Sequence, residues 1–275
     1  MKLLFNIQTV NINPANADLY LEIDAQGLSY IVLENGICKA LSVYHFDDGT
    51  SDETAAGYIH QVIADKPVLQ QRFNKVHIIY AFVPSVLTPQ RFMNGTDNYG
   101  MLELVYGEAN DSITRTDFMY KHALHIVYAV PAVIDMVISR YFGAADYTHI
   151  YSLLSDIIKD SGSHLYCIFS AGKKLKVLLM KQGKLQVMQN YFYSTREDVA
   201  FHMLNLCKSY DVNVKEVLVH LSGMIDENSA LYSELYKYFP LLQYEALPEQ
   251  YQYPDEINRY PANYFSHLFA IAACV

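Results

Sequence analysis

Apolar and polar residues alternate from Leu19 to Asp24, the period of a strand with one covered face, and Ala25-Gln26-Gly27 then supplies a turn. A second strand is expected over 30–34. Asn35-Gly36 follows it as a two-residue hairpin signal, since both residues tolerate positive φ. A third strand is expected from about 37 to 46. Thr50-x-x-Glu53 has the form of a capping box, and Ala55, Ile59, Val62 and Ile63 set an apolar stripe on a helix that stops before Pro67. A buried strand over 75–82 completes a β-β-β-α-β unit.

The same order returns from Ser163 onward. Strands are expected over 165–170, 175–180 and 184–193, separated by turns at Ala171-Gly172 and Gln182-Gly183. Ser194-x-x-Glu197 repeats the capping box, and Val199, Met203, Leu206 and Cys207 repeat the helical stripe. An apolar strand over 216–221 closes the unit. Five elements thus recur in one order, about 146 residues apart from Leu19 to Leu165, which argues for an internal duplication.

Between the copies, residues 84–121 are broken by prolines, Asn94-Gly95 and Asn98-Tyr99-Gly100, with one short strand expected at 101–106. A buried strand is expected over 122–130. Pro131 stands at a helix start, where its missing N–H costs nothing, and that helix runs to Gly143. A short strand near 148–152 and a helix to Asp160 lead into the second copy. After it come a helix at 229–239, a strand at 241–246, a loop rich in proline and tyrosine from 248 to 261, and an apolar helix from 263 to about 273. The expected division is an N-terminal lobe over 1–162, with an insertion at about 84–121, and a C-terminal lobe over 163–275.

Composition adds bounds on partners. The chain is 52% hydrophobic and 18% charged, enough for packed cores and against extensive disorder. A net charge of −9 argues against a nucleic-acid partner and against docking on an anionic membrane surface. No segment approaches the length of a membrane span, so no direct membrane insertion is expected. Cys38, Cys167, Cys207 and Cys274 are widely spaced within apolar stretches, a pattern of reduced, buried thiols. With only Met1 to Phe5 ahead of Asn6, no signal peptide is read, and a cytoplasmic location is expected.

Two meander–helix–strand units with an insertion in the first look like the actin-like ATPase fold, the superfamily of sugar kinases, Hsp70-type chaperones, actin and pilus-assembly proteins. Leu21-Glu22-Ile23-Asp24-Ala25-Gln26-Gly27 is similar to that superfamily's first phosphate loop, which usually reads Asp-x-Gly-Thr/Ser. Residues 125–144, a strand, a proline, a helix and a glycine, look like the corresponding stretch of pilus-assembly members. Val217-Leu218-Val219-His220-Leu221-Ser222-Gly223 is similar to the strand and turn that meets adenosine. The whole chain more closely resembles a bacterial domain-of-unknown-function family (number 3822) with an actin-like ATPase fold. Phe46-Asp47-Asp48, Leu221-Ser222-Gly223 and Tyr264-Phe265-Ser266-His267-Leu268-Phe269 carry that likeness. The resemblance implies an α/β fold: a duplicated actin-like (ribonuclease H-like) architecture of two lobes, each a mixed β-sheet flanked by helices.

Nucleotide chemistry on this fold needs acidic groups at both hairpins to hold a hydrated Mg²⁺ beside the phosphates. The first loop keeps Asp24, but its glycine, Gly27, comes one residue late, and Gln26 stands where phosphate would need close backbone approach. The second reads Phe169-Ser170-Ala171-Gly172-Lys173-Lys174, with no acid. The adenosine-type turn offers one glycine, Gly223, followed by Met224. The candidate ligand-binding residues are therefore Asp24, Gly27, Ser170, Gly172, Ser222 and Gly223, with no catalytic residue and no metal ligand. The expectation is a non-catalytic scaffold or adaptor that contacts another protein and needs no cofactor. The alternative is a nucleotide- or small-anion-binding protein, a weak ATPase using ATP with Mg.

Several other features are weighed against plainer explanations. Lys173, Lys174, Lys176, Lys181 and Lys184 read as solvated ends of an exposed hairpin, or else as an anion site. His122 and His125 fall on opposite faces of the expected strand and have no ligand set beside them. Asp47-Asp48-Gly49 lacks the spacing of a calcium hand and reads as a turn. The 248–261 loop reads as a return segment resting on its tyrosines, or as a recognition surface. The last helix reads as closing a core.

Overall fold

The computed structural model describes residues 1–9, 11–93, 98–107, 111–157 and 161–275, with the side chains of Asn98 and Tyr99 excepted. The chain packs as two compact units. One comprises Met1–Asp156 with Gln250–Pro254 and Val275; the other comprises Ile157–Glu249 with Asp255–Cys274.

The first unit begins with strand β1 (Lys2–Gln8), which sequence reading did not anticipate. Then come β2 (Ala17–Asp24), β3 (Gly27–Glu34), β4 (Ile37–His45), helix α1 (Asp52–Asp65) and β5 (Lys75–Tyr80). The meander β2–β3–β4 is antiparallel, and the Asn35-Gly36 turn takes φ of 50° and 80°, as its residue types allow. Helix α1 carries the chain over to β5, which lies parallel to β2. Its Ala55, Ile59, Val62 and Ile63 are fully buried, at about 1.5–3 kcal/mol for each large aliphatic side chain. Ser51, not Thr50, caps this helix: its hydroxyl accepts from Thr54 N, while the Thr50 N–H and hydroxyl both donate to the Asp47 carbonyl.

The insertion comprises β6 (Ser85–Pro89), α2 (Asn98–Tyr106), β7 (Ser112–Met119) and β8 (Leu124–Pro131), with the sheet ordered β6-β8-β7. Residues 101–106 are thus helical and not a strand; Leu102 is buried against Val127 and Ala129 of β8. Short apolar runs satisfy either period, and the packing of Leu102 decides it. His122 is not on a strand either. It ends a 3-10 turn (Tyr120–His122) closed by Ala123 in the left-handed region, and β8 starts after it. The Asn94-Gly95 signal lies outside the described residues. Helix α3 (Ala132–Tyr141) follows Pro131 as expected, then β9 (Asp146–His149) and α4 (Ile150–Ile157). The expected helix end at Asp160 also lies outside the described residues. The larger sheet runs β1-β4-β3-β2-β5-β9, with β9 parallel to β5.

The second unit holds β10 (His164–Ser170), β11 (Lys174–Lys181), β12 (Lys184–Phe192), α5 (Arg196–Ser209), β13 (Leu218–Gly223), α6 (Ala230–Tyr236), β14 (Leu242–Tyr244) and α7 (Asn263–Ala272). Its sheet runs β12-β11-β10-β13-β14, with β13 parallel to β10 and β14 parallel to β13. Leu165, Cys167, Leu175, Val177, Leu179, Val219 and Leu221 form one face of a core closed by Val199, Met203, Leu206 and Cys207 of α5. Here too the cap falls one residue later than read. The Thr195 hydroxyl accepts from Asp198 N, and Asp198 accepts from Thr195 N, a complete capping box.

The proline- and tyrosine-rich segment returns to the first unit. Gln252 N donates to Gly36 O and Cys38 N donates to Gln252 O, both at 2.9 Å, so the strip is hydrogen-bonded beside the start of β4. None of the four cysteines is in a disulfide; Cys38, Cys167 and Cys207 are buried, whereas Cys274 is only half-buried. Burial pushes the Cys38 thiol up to about 12 and the Cys207 thiol up to about 11. No helix among the described residues is long and apolar enough to cross a membrane.

Candidate functional site

The six candidate residues fall on three strand ends, one in the first unit and two in the second. In the β2–β3 turn, Asp24 is buried and its Oδ1 accepts from Gln26 N at 2.7 Å, so the carboxylate stabilises its own turn. Gln26 O accepts from Phe46 N at 2.7 Å and lies 3.1 Å from His45 Nδ1. Gly27 serves a close contact, but the neighbour is protein: a Cβ there would stand 2.6 Å from Tyr44 O on β4. The late glycine fits the crossing of β3 and β4.

In the β10–β11 turn, Gly172 and Lys173 adopt φ of 73° and 55°. The Lys173 ammonium donates to Ser194 O at 3.0 Å, and Tyr193 N donates to Lys173 O at the same distance, which ties the turn to the end of β12. Ser170 is partly covered and paired in register with Lys174. Lys174 and Lys176 are not solvated hairpin ends. They are 2% and 1% exposed, because β11 is an inner strand flanked by β10 and β12. Lys181 donates to Tyr210 O at 3.0 Å and pairs with Asp211 at 3.4 Å, so the five lysines are not one accessible basic patch.

The end of β13 is the most completely occupied of the three. Gly223 has φ 81°, and a Cβ there would lie 2.1 Å from Phe169 O; Met224 N donates to that carbonyl at 2.7 Å. Buried Asn263, at the start of α7, donates from Nδ2 to both Gly223 O and Ile225 O at 3.0 and 2.9 Å. The buried Ser222 hydroxyl is 2.6 Å from Ser266 Oγ and 3.3 Å from Asn263 O and His267 Nδ1. Asn263 and Ser266 were missed in the sequence, where 263 marked only a helix start. Nothing local links them to a turn 40 residues earlier.

Beneath this turn runs a polar chain that sequence reading also missed. His220 Nδ1 lies 2.6 Å from Glu245 Oε1, and its Nε2 lies 2.9 Å from His164 Nδ1, with the His220 ring stacked on Tyr166. In the first unit, Arg115 donates to Asp135 Oδ1 at 2.8 Å and lies over the Tyr147 ring, and Tyr80 donates to the same oxygen. Burial holds the Asp117 carboxyl above its ordinary value while it accepts from His149 N and the Ser152 hydroxyl, tying β7 to the β9–α4 junction. Among the described residues no three His, Cys, Asp or Glu side chains are grouped to hold a metal ion.

Comparison with solved structures finds this fold elsewhere. A protein of Bacteroides thetaiotaomicron with an actin-like ATPase fold and unknown function matches with a TM-score of 0.76 at 15% identity, over 95% of this chain and 97% of the other. A type IV pilus biogenesis complex, PilM-PilN, matches at 0.63 and 12% identity, over 94% and 98% of the two chains. The ethanolamine utilization protein EutJ of Carboxydothermus hydrogenoformans matches at 0.53 and 11%, over 97% and 92%. At these identities the likeness concerns fold alone. No curated protein matches the sequence. The family model described as protein of unknown function (DUF3822) matches residues 7–242. The α/β architecture is the actin-like ATPase fold, and the chain belongs to the DUF3822 family.

Proposed function

We propose that this chain is a non-catalytic descendant of the actin-like fold that works through protein contacts, as a scaffold or adaptor. The observation that carries the reading is the occupancy of the strand-end turns by the protein itself. Asp24 is bound to Gln26 N, and Ser222 is held among Ser266, Asn263 and His267. Gly27 and Gly223 admit neighbouring backbone. The second turn contributes Lys173 and no acid.

These residues do not fit a magnesium–polyphosphate group. Backbone N–H groups that must face phosphate need free approach, and a hydrated Mg²⁺ needs carboxylates on both hairpins. The first turn here supplies the Asp24 carboxylate, already used in that turn; the second supplies a cation. The likeness to the PilM-PilN type IV pilus biogenesis complex supports protein partnership as the use of the fold. A cytoplasmic location, expected from scattered cysteines in no disulfide, belongs to the same reading.

The test is affinity capture from native extract with the immobilised full chain, with and without Mg-ATP. A partner retained at near-equal amounts in both conditions is the expected result. Release of the partner by Mg-ATP, or failure to retain any partner above a scrambled-surface control, would contradict the proposal.

A further inference from the structure

The second unit carries a sheet edge beside an acidic cavity, which abuts the β13 turn through Ile225 and Asn263. Among the described residues strand β14 pairs with β13 alone. Val219 N donates to Leu241 O and Glu245 N donates to Leu221 O, so the backbone of residues 241, 243 and 245 faces β13. Leu242 and Tyr244 therefore direct their N–H and C=O groups away from the sheet. Such an edge is a template for one more strand.

Next to it lies a cavity of about 410 Å³ lined by Asp226, Glu227, Asn228, Tyr244, Glu245 and Pro261, among others, with no lysine or arginine. Its three carboxylates differ in their engagements. Glu245 is held by His220, Asp226 accepts from the Tyr264 hydroxyl at 2.7 Å, and Glu227 is exposed. Tyr244 is the tyrosine that lines the cavity, and Tyr232 stacks on it at 5.5 Å. The Tyr244 hydroxyl is buried and makes no hydrogen bond.

Carboxylates beside aromatic faces attract organic cations, by charge and by cation–π contact. We infer that this face binds an extended basic segment of a partner protein, which adds a strand along β14 and places a lysine or arginine side chain in the cavity. The edge selects an extended backbone, and the carboxylates select its charge. The inference rests on the protein-contact reading above and names the chemistry of the partner.

The test is fluorescence anisotropy of the full chain with a fluorescein-labelled octapeptide of alternating lysine and threonine. Two control probes carry glutamate for lysine, or N-methyl groups on alternate residues. The lysine peptide is expected to saturate, with affinity falling as salt rises. Asp226→Asn with Glu227→Gln, both near-isosteric and on exposed residues, is expected to weaken it by about tenfold or more. The N-methylated and glutamate probes are expected to bind at least tenfold more weakly, by roughly the same scale. Binding unchanged by the double substitution would overturn the cavity assignment. Equal binding of the N-methylated probe would overturn the added strand. Should the lysine peptide fail to bind while the double variant still captures a partner from extract, this inference falls and the protein-contact reading stands.

Discussion

At the scale of single residues, two glycines show how a ligand-like signature arises from ordinary packing. Gly223 stands where the actin-like pattern places backbone close to a nucleotide and Gly27 one residue past such a place, and each is required, but by neighbouring backbone. A sequence reveals that a position needs glycine; it does not reveal which chain presses against it. Gly223 combines positive φ with a near-contact to Phe169 O, whereas Gly49, also at positive φ, has nothing within 4 Å of a Cβ. Gly223→Ala is expected to cost about 3 kcal/mol or more, and Gly49→Ala about 1 kcal/mol, the left-handed penalty alone. Urea unfolding measures both, and equal losses would contradict the steric assignment. Lys174 and Lys176 teach a related lesson. Charge predicted exposure, yet an inner-strand position buries both residues.

At the scale of elements, most of the chain was legible because local rules suffice. The Asn35-Gly36 and Gln182-Gly183 turns, the α1 and α5 stripes and the Pro131 helix start depend on neighbours in sequence. Errors concentrate where two residues satisfy one pattern. Thr50-Ser51 and Ser194-Thr195 each offer two consecutive hydroxyls, and in both copies the second is the cap. Ser51→Ala and Thr195→Ala are therefore expected to cost about 1 kcal/mol each, and Thr50→Ala and Ser194→Ala only a few tenths. Thermal unfolding of the four variants checks this; the reverse ranking would return the caps to the earlier residues. Residues 101–106 were misread for the same reason, since a run too short to show its period takes the structure that its packing selects.

At the scale of the whole molecule, repetition made the fold readable. Five elements in one order, twice, constrain topology more tightly than any single motif, and identity as low as 15% still accompanies a TM-score of 0.76. Contacts distant in sequence were not readable. The pairing of Gln252 with Gly36 and Cys38, the Asn263 bonds that close the β13 turn, and the His164–His220–Glu245 chain each join segments whose meeting only the folded chain specifies. Of those contacts, the Asn263 bonds lie at a candidate turn, where they engage the carbonyls of Gly223 and Ile225.

The most direct measurement is titration calorimetry of the purified full chain with Mg-ATP. The expected result is no saturable heat at ligand concentrations up to about 1 mM, where even weak specific binding of about −4 kcal/mol would register. A one-to-one isotherm with a dissociation constant in the micromolar range would show that the strand-end turns still accept a nucleotide, and the non-catalytic reading would have to be given up.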